Sequence, residues 1–324
     1  MGGEHSPTVL IAVGGEERGL FFPVDLAARA DALPAKVEWL DPAASGEGAW
    51  DSALESLRPE IVVAGWGTPV LADRHLAVYG GSVRYLCYLA GSVRGRVTRE
   101  QIEAGLLVTN WGSAVSRTVA ECALLLIVAS LRQVPDWVRR MDAGAWREGL
   151  QTGRSLFGRK VGIHGLGSVT RELVRLLAPF DVSIAAFSEG VPADRFAEVG
   201  VEQAASLAEL FRDRDVVVEV EALTPQTRGL VGEDLLARLR PGSVFVNVGR
   251  GAVVDERALV RVARKGEILI GLDVYADEPL PADHPLRGLP TVLLLPHVAG
   301  PTPDRMRDAG ELALQNLGRY LDGE

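Results

Sequence analysis

An α/β protein of two units, each built on a parallel sheet, is what this sequence predicts. Short apolar runs alternate with amphipathic stretches through the first hundred residues. The same alternation begins again at Lys160, and Gly or Pro marks the junctions, as at Pro34, Pro42, Gly65, Gly67 and Pro69. The 324 residues agree with two domains at about 100–200 residues each.

In the first unit Val9–Val13, Val37–Leu40, Ile61–Ala64 and Val83–Tyr88 read as buried strands. Leu26–Leu33, Trp50–Leu57 and Thr98–Ala104 read as the helices between them. A long helical pattern follows. Thr118-Val-Ala-Glu121 has the form of a capping box, and Ala123–Leu131 is apolar on nearly every face, as expected of a helix buried in a core or an interface. Pro135 must kink or restart this helix, and Trp137, Met141 and Trp146 carry the apolar pattern on to Leu150. In the second unit Val161–His164, Val182–Phe187, Val216–Val220, Val244–Val248, Ile268–Leu272 and Val292–Leu295 read as six strands. Asp304–Leu321 reads as a closing amphipathic helix.

Composition narrows the function. The apolar fraction is 47%, enough for a large core. Thirty-four basic residues against 43 acidic ones give a net charge of −9, which disfavours nucleic acid as a partner. The apolar run Cys122–Leu131 is too short to cross a bilayer, so no membrane is expected. No basic region precedes the apolar start Val9–Val13, which reads as a strand and not a signal peptide. Cys87 and Cys122 are the only cysteines and suggest reduced thiols in a cytoplasmic protein, with no disulfide and no metal site.

The segment Lys160-Val-Gly-Ile-His-Gly165-Leu166-Gly167-Ser168-Val169-Thr170 runs from a strand through a glycine turn into a helix. Gly165 permits the turn, Gly167 lets backbone approach a pyrophosphate, and the helix start aims N–H groups at an anion. Thr170 stands where a third glycine is usual, a position that governs helix–strand packing. An acidic residue that binds the adenosine ribose is expected about 20 residues on. Ser188 stands there, followed by Glu189. A serine can also accommodate a 2′-phosphate where a cation is near, but Arg195 is the only nearby candidate and Glu189 opposes it. The reading favours NAD, with NADP as the alternative.

Three further strand ends draw attention. The run Val244–Val248 ends in Gly249-Arg250-Gly251, which puts an arginine fork at the ligand edge of a parallel sheet, matched to a carboxylate. The following strands end near Glu278 and at Pro296-His297. A histidine paired with a carboxylate suits proton donation.

These residues carry a resemblance. From about Val83 onward the chain resembles the D-isomer-specific 2-hydroxyacid dehydrogenase family. The matching blocks are Gly105–Asn110, Val119–Glu121, Gly158–Ile163 with its Gly-Leu-Gly, Leu223–Arg228, Val246–Asp255, Leu272–Val274 with Glu278-Pro279, and Pro296-His297. The resemblance implies a Rossmann-type cofactor domain at 110–297 and a discontinuous flavodoxin-like substrate domain at 1–109 with 298–324. It implies a catalytic triad of Arg250, Glu278 and His297, and a cofactor site that adds Thr224, Thr227, Val248, Gly249 and Asp273 to the glycine loop and Ser188. Asp273 would contact the nicotinamide carboxamide. Ala90-Gly91-Ser92-Val93 would hold the substrate carboxylate through backbone amides, and Arg250 would bind substrate too. The implied reaction is hydride transfer between the dinucleotide and C2 of a small 2-oxo or 2-hydroxy acid. A homodimer joined through the segment from Thr118 to about Leu150 is also implied.

The sequence departs from that pattern in places. The strand end Val216–Thr224 carries Glu219, Glu221 and Ala222, where apolar residues, a His and a Pro are usual. Trp111-Gly112-Ser113 replaces a Pro-containing turn, and Arg94 stands where an Asp is common. Two other functions are compatible with the pattern. One is a dinucleotide-sensing binding protein of corepressor type. The other is a phosphite-type dehydrogenase on the same fold. Glu278 argues against formate, whose dehydrogenases pair the histidine with glutamine.

Overall fold

The computed structural model describes residues 6–46, 48–146 and 153–324. The chain divides into two compact units, Met1–Val115 with Pro301–Glu324, and Ser116–Gly300. The seams thus fall a few residues beyond 109 and 297, at the start of a long helix and just after the His297 turn.

The first unit holds a five-stranded parallel sheet. Its strands are β1 (Thr8–Ala12), β2 (Lys36–Leu40), β3 (Ile61–Ala64), β4 (Tyr85–Tyr88) and β5 (Leu107–Thr109), in the order β2-β1-β3-β4-β5. Alternate residues of one strand feed opposite faces. Val9 and Ile11 pack with Phe21, Leu26, Leu314 and Leu317, whereas Leu10 and Ala12 pack with Leu54, Leu76 and Leu86. A sheet covered on both faces needs apolar residues at successive positions, and Val9–Val13 supplies them. The terminal helix Met306–Leu321 closes one face. A side chain at Gly310 would meet the Phe21 carbonyl at 1.9 Å, so glycine sets the close approach of this helix to the chain near Phe21. Tyr320 donates to Glu60 Oε1 at 2.7 Å beside the base of β3.

The second unit holds a seven-stranded parallel sheet: β6 (Lys160–His164), β7 (Ser183–Phe187), β8 (Glu202–Gln203), β9 (Val216–Glu219), β10 (Val244–Asn247), β11 (Leu269–Leu272) and β12 (Val292–Leu294). The order is β12-β11-β10-β9-β6-β7-β8. The chain runs outward one way from β6 to β8 and the other way from β9 to β12, so strand order reverses beside β6. In open parallel sheets ligands bind outside the carboxyl ends at such a reversal. Val217, Phe245 and Ile270 fill one face, and Val161, Ile163, Val218 and Val246 fill the other.

Several expectations shift. The long helix begins at Ser116, so Thr118 and Glu121 lie inside it and do not cap its start. A capping box does form at Thr98 and Gln101, where the Thr98 side chain accepts from Gln101 N and Gln101 Oε1 accepts from Thr98 N. Pro135 opens a new helix, Val134–Asp142, bent by 61° from Ser116–Leu131. The former helix packs Ala123, Leu126, Ile127 and Leu131 into the core but leaves Leu125 exposed. The expected continuation from 147 to Leu150 lies outside the described residues. Strands β5 and β8 and the helix Gly15–Phe21 are additional to the elements expected. Cys87 is buried, while Cys122 is half-buried and burial pushes its thiol up to about 12. Among the described residues no single helix is long and apolar enough to cross a membrane.

Candidate active site

The glycine loop leaves β6 at Gly165, whose φ of +108° lies outside the range that side chains favour. A side chain there would stand 2.9 Å from the Val220 carbonyl and from Glu221 N, so glycine also lets the end of β9 cross the loop. Gly167 caps the ten-residue helix Ser168–Leu177, with no side chain bonded over its first N–H groups. Nothing approaches within 4 Å of the space a Gly167 side chain would fill. A glycine turn, open space and a helix start fit a pyrophosphate. Ser168 Oγ accepts from Ser116 Oγ at 2.7 Å, and Leu166 and Val169 pack half-buried against the core. Thr170 is fully buried and donates to the Gly165 carbonyl at 2.8 Å. The residue in the third glycine's place therefore both packs and ties down the loop.

Two unexpected bonds flank this loop. His164 Nδ1 donates to Glu219 Oε2 at 2.5 Å, with both side chains buried. Burial works against the charged imidazole, but the Glu219 carboxylate, with Glu221 beyond it, outweighs burial and holds the His164 pKa above its usual value. Ser188, at the end of β7, donates to Glu221 Oε2 at 2.6 Å. Beyond β9, Thr224 and Thr227 close a turn on themselves. Thr224 N donates to Thr227 Oγ1 at 2.7 Å, and Thr227 Oγ1 donates to the Ala222 carbonyl at 2.6 Å.

The strands β10, β11 and β12 are neighbours, and each delivers a polar residue from its carboxyl end. After β10 comes buried Val248, then Gly249-Arg250-Gly251. A side chain at Gly249 would meet Val220 Cα at 2.9 Å, and one at Gly251 would meet the Tyr275 carbonyl carbon at 1.9 Å. Asn247 pins the turn: Oδ1 accepts from Gly249 N at 3.0 Å and Nδ2 donates to the Arg250 carbonyl at 3.2 Å. Arg250 is exposed, with Nη1 donating to the Gly249 carbonyl at 2.7 Å.

Glu278 follows β11. Its Oε1 accepts from Tyr275 N at 2.9 Å, and its Oε2 accepts from His297 Nδ1 at 2.6 Å. His297 follows β12 with φ of +55°, and its side chain is half exposed. Holding Nδ1 on Glu278 leaves Nε2 as the nitrogen for proton exchange. Asp273 is fully buried. Its Oδ1 and Oδ2 accept from Val298 N and Ala299 N at 2.8 and 2.9 Å, and burial raises its carboxyl above the usual range. It braces the two residues after His297, a role that the linear pattern does not reveal.

Gly91, Ser92 and Val93 lie in the other unit, after β4. The Gly91 carbonyl accepts from Asn110 Nδ2, and a side chain at Gly91 would meet the Trp111 indole nitrogen at 2.8 Å. Ser92 Oγ accepts from Arg94 N at 3.3 Å, and the Val93 carbonyl accepts from Arg96 N at 3.0 Å. The loop is thus fixed from β5's end and by its own turn. Among the described residues no group of three or more His, Cys, Asp or Glu side chains is placed to hold a metal.

A reversal of strand order, an open glycine loop, and an Arg and a Glu–His pair on neighbouring strand ends define a dinucleotide-dependent dehydrogenase. Comparison with known proteins sharpens the class. Residues 124–299 match the family model described as D-isomer specific 2-hydroxyacid dehydrogenase, NAD binding domain. Glyoxylate/hydroxypyruvate reductase B of Pectobacterium carotovorum is 34% identical over 227 residues, which cover 68% of this chain and 71% of the relative. D-3-phosphoglycerate dehydrogenase of Methanocaldococcus jannaschii is 30% identical over 223 residues, and the match spans only 42% of its length. A crystal structure of a glyoxylate reductase from Paecilomyes thermophila superposes with a TM-score of 0.79 at 26% identity, covering 99% of this chain and 97% of that one. The chain belongs to the D-isomer specific 2-hydroxyacid dehydrogenase family, and its second unit is the NAD-binding domain.

Proposed function

We propose that this protein interconverts a small 2-oxo acid and the D-2-hydroxy acid with NAD(P), with Arg250, Glu278 and His297 carrying the chemistry. The observation that carries this reading is the 2.6 Å bond from His297 Nδ1 to Glu278, which leaves Nε2 for proton exchange on the carboxyl edge of the sheet that also bears Arg250. The bound nicotinamide would supply or accept the hydride. Arg250 binds the substrate carboxylate and polarises the C2 carbonyl. His297 gives the Nε2 proton to the developing alkoxide, and Glu278 stabilises the imidazolium and fixes its tautomer. Asp273 keeps the His297 turn in place. In the oxidative direction each proton step reverses.

Relatives named for glyoxylate and hydroxypyruvate set the first substrates to try. The test mixes the purified chain with NADH or NADPH and glyoxylate, hydroxypyruvate or pyruvate, and follows dinucleotide absorbance. Oxidation of the dinucleotide with at least one acid is expected, and absence of turnover with every 2-oxo acid would sink the reading. The reading extends to a homodimer through Ser116–Leu131 and Val134–Asp142, supported by exposed Leu125, Val138 and Met141. Sedimentation as a monomer at micromolar concentration would refute that part. A cytoplasmic location is in keeping with two free thiols.

A further inference from the structure

We propose that Glu221, held by Ser188, reads the adenosine ribose and makes this enzyme prefer NAD over NADP. The inference rests on the reading of the second unit as a dinucleotide site. The end of the second strand from the glycine loop is where an acidic residue accepts the ribose hydroxyls. Here that position is Ser188, which is only 9% exposed and has a hydroxyl to donate where a carboxylate is required. The carboxylate arrives from a different strand. Glu221 follows β9, on the other side of β6, and reaches Ser188 at 2.6 Å. The missing side chain at Gly165 is what lets the β9 end cross.

The Glu221 carboxylate is fixed at both oxygens. Ser188 Oγ donates to Oε2, and Ala222 N donates to Oε1 at 2.8 Å. A carboxylate offers about four acceptor positions, so two remain for the 2′- and 3′-hydroxyls of a ribose. Its backbone is fixed too, since Glu221 N donates to Glu219 Oε1 at 2.8 Å and Glu219 is held by His164. Three departures from the family pattern, Ser188, Glu219 and Glu221, thus form one connected set with His164.

The same set repels a 2′-phosphate. Glu189 is exposed beside Ser188. Arg195, the cation a phosphate would need, is engaged by Glu198 at 2.9 Å on its own helix, and Arg171 stands 4.0 Å from that carboxylate. A phosphate dianion at this strand end would face the carboxylates of Glu221 and Glu189.

The test measures dissociation constants of NADH and NADPH by quenching of tryptophan fluorescence, independent of turnover. The full chain should bind NADH at least about tenfold more tightly than NADPH, the scale of a charge-assisted hydrogen bond. Glu221→Gln should weaken NADH about tenfold and bring the two constants within about threefold. Adding Ser188→Asp to Glu221→Gln should restore the preference, because it returns a carboxylate to the ribose. If Glu221→Gln fails to fold, Ser188→Ala asks the same question, since it frees the carboxylate and should narrow the ratio. Equal binding by the unaltered chain, or an unchanged ratio in Glu221→Gln, would overturn the proposal and leave the dehydrogenase reading standing. Failure to bind either dinucleotide would overturn both, and tight NADH binding without turnover would overturn only the catalytic reading.

Discussion

The two halves of the larger sheet's carboxyl edge are built differently. At β10–β12 the polar residues after the strand ends are anchored mainly to backbone groups, with one side-chain pair, Glu278–His297, across strands. Glycines flank Arg250, Tyr275 N steadies Glu278, and Asp273 braces the residues after His297. At β9, β6 and β7, by contrast, the polar residues are set by one another across strands. His164 holds Glu219, Glu219 holds the Glu221 backbone, and Glu221 meets Ser188. Anchors to backbone hold a reacting group by bonds that substitution of most side chains leaves in place. Mutual setting lets a set of residues change together, and removal of one member is felt by the rest.

Substitutions test this contrast. The largest effect should come from His297→Ala, which should lower kcat by about 10²–10⁴-fold in steady-state assays. NADH binding should change by less than about twofold, because His297 bonds Glu278 and lies outside the glycine loop and the Ser188–Glu221 pair. Gly251→Ala drives a side chain into the Tyr275 backbone and should cost about 3 kcal/mol in a denaturant titration. Arg250→Gln should raise the KM for the 2-oxo acid by about tenfold or more, the scale of one charged hydrogen bond. Asp273→Asn turns an amide N–H₂ toward one of two backbone donors. It should cost about 1–3 kcal/mol of stability and lower kcat without altering the adenosine end.

The smallest effect is a pH dependence on the mutually set half. The His164 pKa is raised in the folded state, so its pairing with Glu219 stabilises fully below the unfolded value of about 6.5. That contribution is lost as pH rises through the folded value. The melting-temperature gap between the unaltered chain and Glu219→Gln should therefore be wider at about pH 6 than at about pH 9. A gap independent of pH would mean that the imidazole is neutral throughout.

Legibility follows the same division. The strands that bury both faces, such as Ile61–Ala64 and Val244–Asn247, announce themselves as apolar runs. Arg250, Glu278 and His297 are legible because each sits beside a strand end in a specific short motif. Strand β8 is two exposed polar residues and β5 is only Leu107–Thr109, each too short for periodicity to register. Gly15–Phe21 carries two glycines in seven residues, which masks a helix held by packing of Phe21 and by the bond from Gly15 N to Asp41. The Glu219–His164 pair joins residues 55 apart and the Glu221–Ser188 pair joins residues 33 apart. Read along the chain, those glutamates look like an oddly polar strand. The pairing that explains them exists only after β9 and β7 are placed on either side of β6.

The helix Met306–Leu321 has a consequence for biosynthesis. It fills a face of the first unit with Ala313, Leu314 and Leu317, yet it is made after the whole of Ser116–Gly300. At about 5–20 residues per second, the ribosome needs roughly ten to forty seconds to cross that stretch. Until Met306–Leu321 is made Phe21 and Leu26 lack this helix, whereas by Leu294 the NAD-binding domain already has every strand of its sheet. The dinucleotide site can therefore form on a chain whose first unit is still unfinished, and Pro301–Glu324 completes that unit only after the second has been made.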